Sequence, residues 1–253
     1  VAQKPTLTFE VPLYSRWNKE RLEARKKTLG ERAYARGFQQ KAFAAGELMF
    51  QSWAKAKSEP AIPQEVRDLW QGEGPVFAGV DLSSESRPGT VIHVMHVRKN
   101  QKRLPLAIFR GRWSSPDTAR KLNEIWLTYR PDIFMVENNG YQQALIDWSK
   151  AAGYGYGPKV RAFTTGRNKV TPDLGLPSIE VELSNGAWEV PRGEWVGHPP
   201  ECECGWCQWD REMSAYPTLK ETDTVMAMWF AQQAAKFGRK TPARSEDFSL
   251  QMG

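Results

Sequence analysis

The chain has 253 residues, 40% of them hydrophobic and 25% charged, which suits a soluble globular protein of one large domain or of one domain plus an appendage. Its formal charge of +6 is compatible with a polyanionic partner without requiring one. No apolar run approaches the roughly 18 residues of a membrane span, and no signal peptide opens the sequence, which starts on Val1 without a Met and so reads as a fragment or a processed product.

Residues 1–15 read as extended, with Pro5 and Pro12 unfavourable to helix. From Trp17, WNKERLEARKKTLGERAYARGFQQKAFA mixes strong helix formers with spaced apolar residues and predicts helices broken near Gly30 and Gly37. The stretch QGEGP, residues 71–75, marks a domain boundary, giving a helical lead-in over 1–72. VFAGVD then reads as a buried strand, TVIHVMHV as a second, and LPLAIFRGRW as a third, with KNQKR as the hairpin turn. Residues 114–131 predict a helix with Ser115 as N-cap, Pro116 at its first position and Pro131 beyond its end. DIFMVENN is a strand ending on Glu137, GYQQALIDWSKAAG a helix stopped by Gly153, and VRAFTT a further strand. Residues 170–220, rich in Gly, Pro and Trp, read as irregular. ETDTVMAMWFAQQAAKFG predicts a last helix capped by Thr222 and ended by Gly238, and 239–253 predict a mobile tail. This order is α/β: a mixed central sheet with helices on both faces.

Asp81 and Glu137 each close a short apolar strand. An Asp there also suits a turn, and Glu137 before Asn138, Asn139 and Gly140 also suits a turn edge. In open α/β sheets, however, ligands lie outside the carboxyl ends of strands. Asp223 opens the last helix, where a carboxylate is favoured anyway and Glu221 competes with it. Gathered together, three such acids repel one another unless cations intervene, and all-oxygen ligands suit Mg²⁺ and Mn²⁺.

Strand–Asp, hairpin, helix, strand–Glu and a late helix carrying Asp together resemble the RNase H-like fold. GVDLS, FMVENNGYQQAL, TTGRNK and ETDTVMAMWFA more closely resemble the nuclease domain of bacteriophage terminase large subunits. The segment from Trp17 resembles the stretch that joins the terminase ATPase to its nuclease, so the likeness covers roughly residues 10–238. It implies an RNase H-like nuclease domain over 73–238, with Asp81, Glu137 and Asp223 as catalytic ligands of two Mg²⁺ or Mn²⁺ ions. It further implies cleavage of concatemeric double-stranded viral DNA in the host cytoplasm. The implied partners are the portal protein, the terminase small subunit and the ATPase domain of the same subunit, with no membrane. The chain carries no GxxxxGK[ST] loop; GYGYGPK has the wrong glycine spacing, so cutting is expected without ATP.

For DNA contacts the hairpin offers Arg98, Lys99, Lys102 and Arg103, followed along the chain by Arg110, Arg112, Lys159, Arg161, Arg167 and Lys169, all of which except Lys169 also suit a solvated face. Lys169 matches the family's NK pair, which implies a place near the scissile phosphate. The three cysteines lie within six residues, which argues against a disulfide framework and for a reducing compartment. His198, Cys202, Cys204 and Cys207 form a candidate structural zinc set; the alternative is reduced thiols packed by Trp206 and Trp209. His93 and His96, three apart on a strand, face opposite sides and make a poor ligand pair. Trp113, Trp126, Trp148 and Trp229 read as core. Competing readings are a junction resolvase or transposase, which shares the acids without the lead-in and NK pair, and a non-catalytic zinc-stapled DNA-binding module. An actin-like ATPase requires a glycine-bearing phosphate loop that DLSSES lacks.

Overall fold

The computed structural model describes residues 18–29, 34, 37–38, 48–57, 70, 72, 74–82, 89–137, 141–166 and 175–240. Five strands, β1 (Val76–Asp81), β2 (Thr90–Val97), β3 (Arg103–Gly111), β4 (Ile133–Glu137) and β5 (Val160–Phe163), form one sheet in the order β3-β2-β1-β4-β5. The meander β1–β2–β3 is antiparallel, while β4 runs parallel to both β1 and β5. The central place of β1 follows from its sequence: VFAGV offers no polar residue to either face, so both faces must be covered.

The helices, in chain order, are α1 (Lys19–Leu29), α2 (Trp53–Ala56), α3 (Ser115–Tyr129), α4 (Tyr141–Ala151), α5 (Pro177–Ser184), α6 (Gly205–Ala215) and α7 (Asp223–Lys240). Side chains alternate across a strand, and the core divides accordingly. Val76, Ala78 and Val80 of β1, with Phe134 and Val136 of β4, pack with Leu122 and Ile125 of α3 and Leu145 of α4. On the opposite face Phe77, Met95, Ile133 and Met135 pack with Ile179 of α5, Trp209 of α6 and Trp229 of α7.

Several local expectations shift. The cap of α3 is Ser114, one residue earlier than expected, and its hydroxyl accepts the Asp117 N–H at 3.4 Å. Residues 170–220 are not wholly irregular: they carry α5 and α6, both well packed. Helix α7 runs through Gly238 to Lys240; that glycine lies against Phe77 and Ile133, where a Cβ would come within 2.8 Å of the Phe77 ring. Its absent side chain serves packing rather than termination. Trp229 is fully buried as expected, whereas Trp148 is 43% exposed. Residues 48–57, inside the expected lead-in, are part of the sheet domain. Trp53 is buried against the Trp209 ring at 4.7 Å and donates through Nε1 to Asp210, and Ser52 Oγ donates to Glu180 at 2.7 Å.

Candidate functional site

Val80 and Val136 are register partners in the parallel β1–β4 pair, so Asp81 and Glu137, the next residues on each strand, end side by side. Adjacent strands lie about 4.8 Å apart, which fixes the scale of that separation. Both acids are half-buried, each the first residue of its strand to leave the core. Their face follows from alternation. Gly79, two residues before Asp81, lies directly under α7: a Cβ there would fall 2.0 Å from the Ala227 carbonyl oxygen and 2.3 Å from the Ala231 nitrogen. Met135, two before Glu137, belongs to the same α7-facing core. Asp81 and Glu137 therefore project on the side that α7 covers.

Helix α7 runs against the direction of β1. Its end near Gly238 lies over Phe77 and its middle, around Ala227 and Ala231, over Gly79. From Gly79 to Asp81 the strand advances roughly 7 Å, and from Ala227 back to Asp223 the helix advances about 6 Å. The first turn of α7, with Asp223, is thus level with the two strand-end acids. Two carboxylates about 5 Å apart repel by about 3 kcal/mol at an effective dielectric of 20. An all-oxygen set with this excess of negative charge fits a hard divalent cation such as Mg²⁺ or Mn²⁺.

Surrounding groups hold the arrangement. The Thr165 hydroxyl, just past β5, donates to Glu137 Oε1 at 2.9 Å. Glu221 is engaged by Arg110 Nη2 at 3.1 Å and Gln208 Nε2 at 3.3 Å. Thr222 occupies the cap position of α7, its carbonyl accepting the Met226 N–H at 2.9 Å. A residue that the sequence did not single out completes the cap. Glu212 of α6, only 1% exposed, accepts through Oε2 from the Thr224 N–H at 2.9 Å, the Thr224 hydroxyl at 2.6 Å and the Val225 N–H at 3.2 Å. Its sequence signal was slight: one of two acids, with Asp210, inside GWCQWDREMSA, where nothing marks it apart from its neighbour.

The expected DNA-contact residues are dispersed. The β2–β3 turn lies at the end of the sheet where β1 begins, opposite the acids, because Val76 pairs with His96 while Asp81 pairs with Val91. Arg98 donates to Glu189 at 2.6 Å, and Lys102 lies 3.7 Å from the same carboxylate. Lys99 is exposed on the turn. Arg103 corrects the expectation: it is 6% exposed, paired with Glu182 at 2.7 Å and stacked over Trp188, so burial denies it to a phosphate. The register brings Arg110, opposite Val91 and paired with Glu221, to the acid end, and Arg112 follows just beyond β3. Arg167 and Lys169 lie outside the described residues.

His198, Cys202, Cys204 and Cys207 do converge: one ligand atom from each lies within 4.8 Å of all the others. His93 and His96 do not. His93 is buried between the Trp188 and Trp209 rings, and His96 hydrogen-bonds through Nδ1 to the Pro75 carbonyl.

No family model matches the chain, and no curated protein does. Among solved structures, the large terminase nuclease of thermophilic phage G20c, determined with bound magnesium, matches with a TM-score of 0.52 at 14% identity, over 75% of this chain and 98% of that one. The nuclease domain of the large terminase subunit of bacterial virus Sf6 matches at TM-score 0.44 and 11% identity, over 73% and 97% of the two chains. Thermus thermophilus RuvC matches at 0.39 and 15%, over 66% and 97%. The first of these likenesses establishes the class: the chain has the RNase H-like fold. Within that class, it shares its fold with the large terminase nuclease of phage G20c.

Proposed function

We propose that this protein is a divalent-metal-dependent endonuclease that hydrolyses phosphodiester bonds of double-stranded DNA, and that it serves as the nuclease of a viral packaging terminase. What supports the reading is the β1–β4 register, which ends Asp81 and Glu137 side by side, and the course of α7 over Gly79, which brings the turn carrying Asp223 level with them. In this reading the three carboxylates hold Mg²⁺ or Mn²⁺ against a scissile phosphate, and Thr165 fixes the rotamer of Glu137. A divalent ion held by Asp81, Glu137 and Asp223 would supply Lewis acidity for activating water and for stabilising the leaving oxygen. Arg110, at the same end of the sheet and paired with Glu221, would have to exchange that partner to reach a phosphate.

The packaging role rests on the likeness to the phage G20c nuclease together with the terminase-like motifs. In this proposal the protein works in the host cytoplasm on concatemeric DNA, beside an ATPase domain, a portal and a small subunit. The test is incubation with supercoiled plasmid and Mn²⁺ or Mg²⁺. Nicking and linearisation are expected, and EDTA abolishes them. Intact plasmid under all divalent conditions would overturn the enzymatic reading. Cleavage confined to branched junctions would replace the terminase role with that of a resolvase.

A further inference from the structure

We infer that His198, Cys202, Cys204 and Cys207 bind one zinc ion, and that this knuckle fixes the first turn of α7 through Glu212. The geometry at the knuckle is specific. His198 Nδ1 lies 3.6 Å from Cys202 Sγ, 3.6 Å from Cys204 Sγ and 3.4 Å from Cys207 Sγ. A tetrahedral zinc with Zn–S of about 2.3 Å and Zn–N of about 2.0–2.1 Å puts nitrogen and sulfur about 3.6 Å apart. Hydrogen bonding does not account for the same arrangement. One ring nitrogen has either one proton or one lone pair, so it cannot bond three thiols at once. A shared cation satisfies all three contacts together. The soft, sulfur-rich ligand set selects zinc over the hard ions that suit the acid cluster.

From the knuckle a continuous set of hydrogen bonds leads to α7. Cys204 is the N-cap of α6, its sulfur accepting the Cys207 N–H at 3.5 Å, so two of the four ligands belong to the first turn of that helix. The Cys202 carbonyl accepts from Arg211 Nη2 at 2.8 Å, and Arg211 also donates to Gln208 Oε1 at 2.8 Å. Gln208 donates to Glu212 Oε1 at 3.0 Å. Cys204, Gln208 and Glu212 recur every four residues and so share one face of α6. Glu212 then holds the N–H groups of Thr224 and Val225, the residues that follow Asp223. A helix-start N–H pair without such an acceptor frays within the first turn. Glu212 is therefore a positioning residue, and the zinc ion keeps the helix that carries it in register. The consequence for cleavage, though not the binding or the positioning, rests on the reading of Asp223 as a ligand of the catalytic metal.

The experiment combines metal analysis with amide exchange on the full chain. Protein purified without chelator is expected to contain about one zinc per chain, and Co²⁺ in its place should give the intense visible absorption of a tetrahedral thiolate site. The Thr224 and Val225 amides should exchange at least tenfold faster in Glu212→Ala, with zinc content and the Ala78 and Phe134 amides unchanged. Glu212→Gln, which keeps a carbonyl acceptor, should restore part of the protection. Where cleavage is measured, Glu212→Ala should need roughly tenfold more Mn²⁺ while keeping its rate at saturation. Two outcomes overturn the inference: substoichiometric zinc that does not fill on readdition, or unchanged Thr224 and Val225 exchange in Glu212→Ala. Zinc and protection as expected, in a protein that cuts no DNA, would count against the nuclease reading alone.

Discussion

Gly79 sets the distance between the acids on the sheet and the acid on the helix. Its missing side chain lets the backbone of α7 lie on β1, and a Cβ would strike the Ala227 carbonyl at 2.0 Å. Backbone cannot swing aside as a side-chain tip can, so Gly79→Ala should cost at least the roughly 1–3 kcal/mol typical of overpacking, read as a lowered midpoint in urea. The acids themselves should behave oppositely. Asp81→Asn, Glu137→Gln and Asp223→Asn are each expected to lower Mn²⁺-dependent cleavage by at least about 10- to 100-fold while leaving the unfolding midpoint near wild type. That Asp81 and Glu137 close β1 and β4 was legible in the sequence because each ends an apolar run, a purely local signal. Arg103 was misread because its partners, Glu182 and Trp188, lie some eighty residues away in a stretch with no periodicity to place them. Glu212 was missed for a related reason: its role exists only through the helix that it caps.

At the scale of elements, the long apolar strands and the helices with clear stop signals were readable, whereas α5 and α6 were not. Helix α6 spells GWCQWDREMSA, begins on Gly and has the wide Trp206 and Trp209 in its first turns, so local propensity argues weakly for helix. Packing on β2 and β3 decides the matter instead. His93 of β2 is wedged between that layer and the sheet, wholly buried against the Trp188 and Trp209 rings. Burial lowers its pKa to about 3. The unfolded chain takes up a proton near pH 6.5, which the folded protein refuses until about pH 3. The stabilisation is therefore complete above pH 6.5 and declines as pH falls, by up to about 1.4 kcal/mol per unit. Urea melts at pH 7.5 and 5.0 should show this loss in wild type and a shallower one in His93→Phe, which keeps the ring and removes the titration.

For the whole molecule, the strand order β3-β2-β1-β4-β5 brings β1 and β4, distant in sequence, into contact, and lays the start of α7 at their shared end. The sequence predicted a mixed sheet with helices on both faces, but the adjacency of β1 and β4 and the direction of α7 across them are features that no local pattern carries. The +6 charge does not come from the sheet domain: residues 71–238 hold 19 basic and 19 acidic residues, residues 1–50 hold ten basic against five acidic, and at the hairpin Arg98, Lys102 and Arg103 face Glu189 and Glu182. Duplex binding should still weaken steeply between 50 and 200 mM salt, about 10³-fold or more if six or more phosphates are contacted, as fluorescence anisotropy can read. A flat salt response would mean that phosphate contacts do not hold the DNA. The most direct measurement of the central claim is anomalous diffraction from crystals grown with a short DNA duplex and Mn²⁺. Manganese peaks bounded by the carboxylates of Asp81, Glu137 and Asp223 are the predicted result. Manganese bound elsewhere, with those three side chains apart and metal-free beside the DNA, would contradict it.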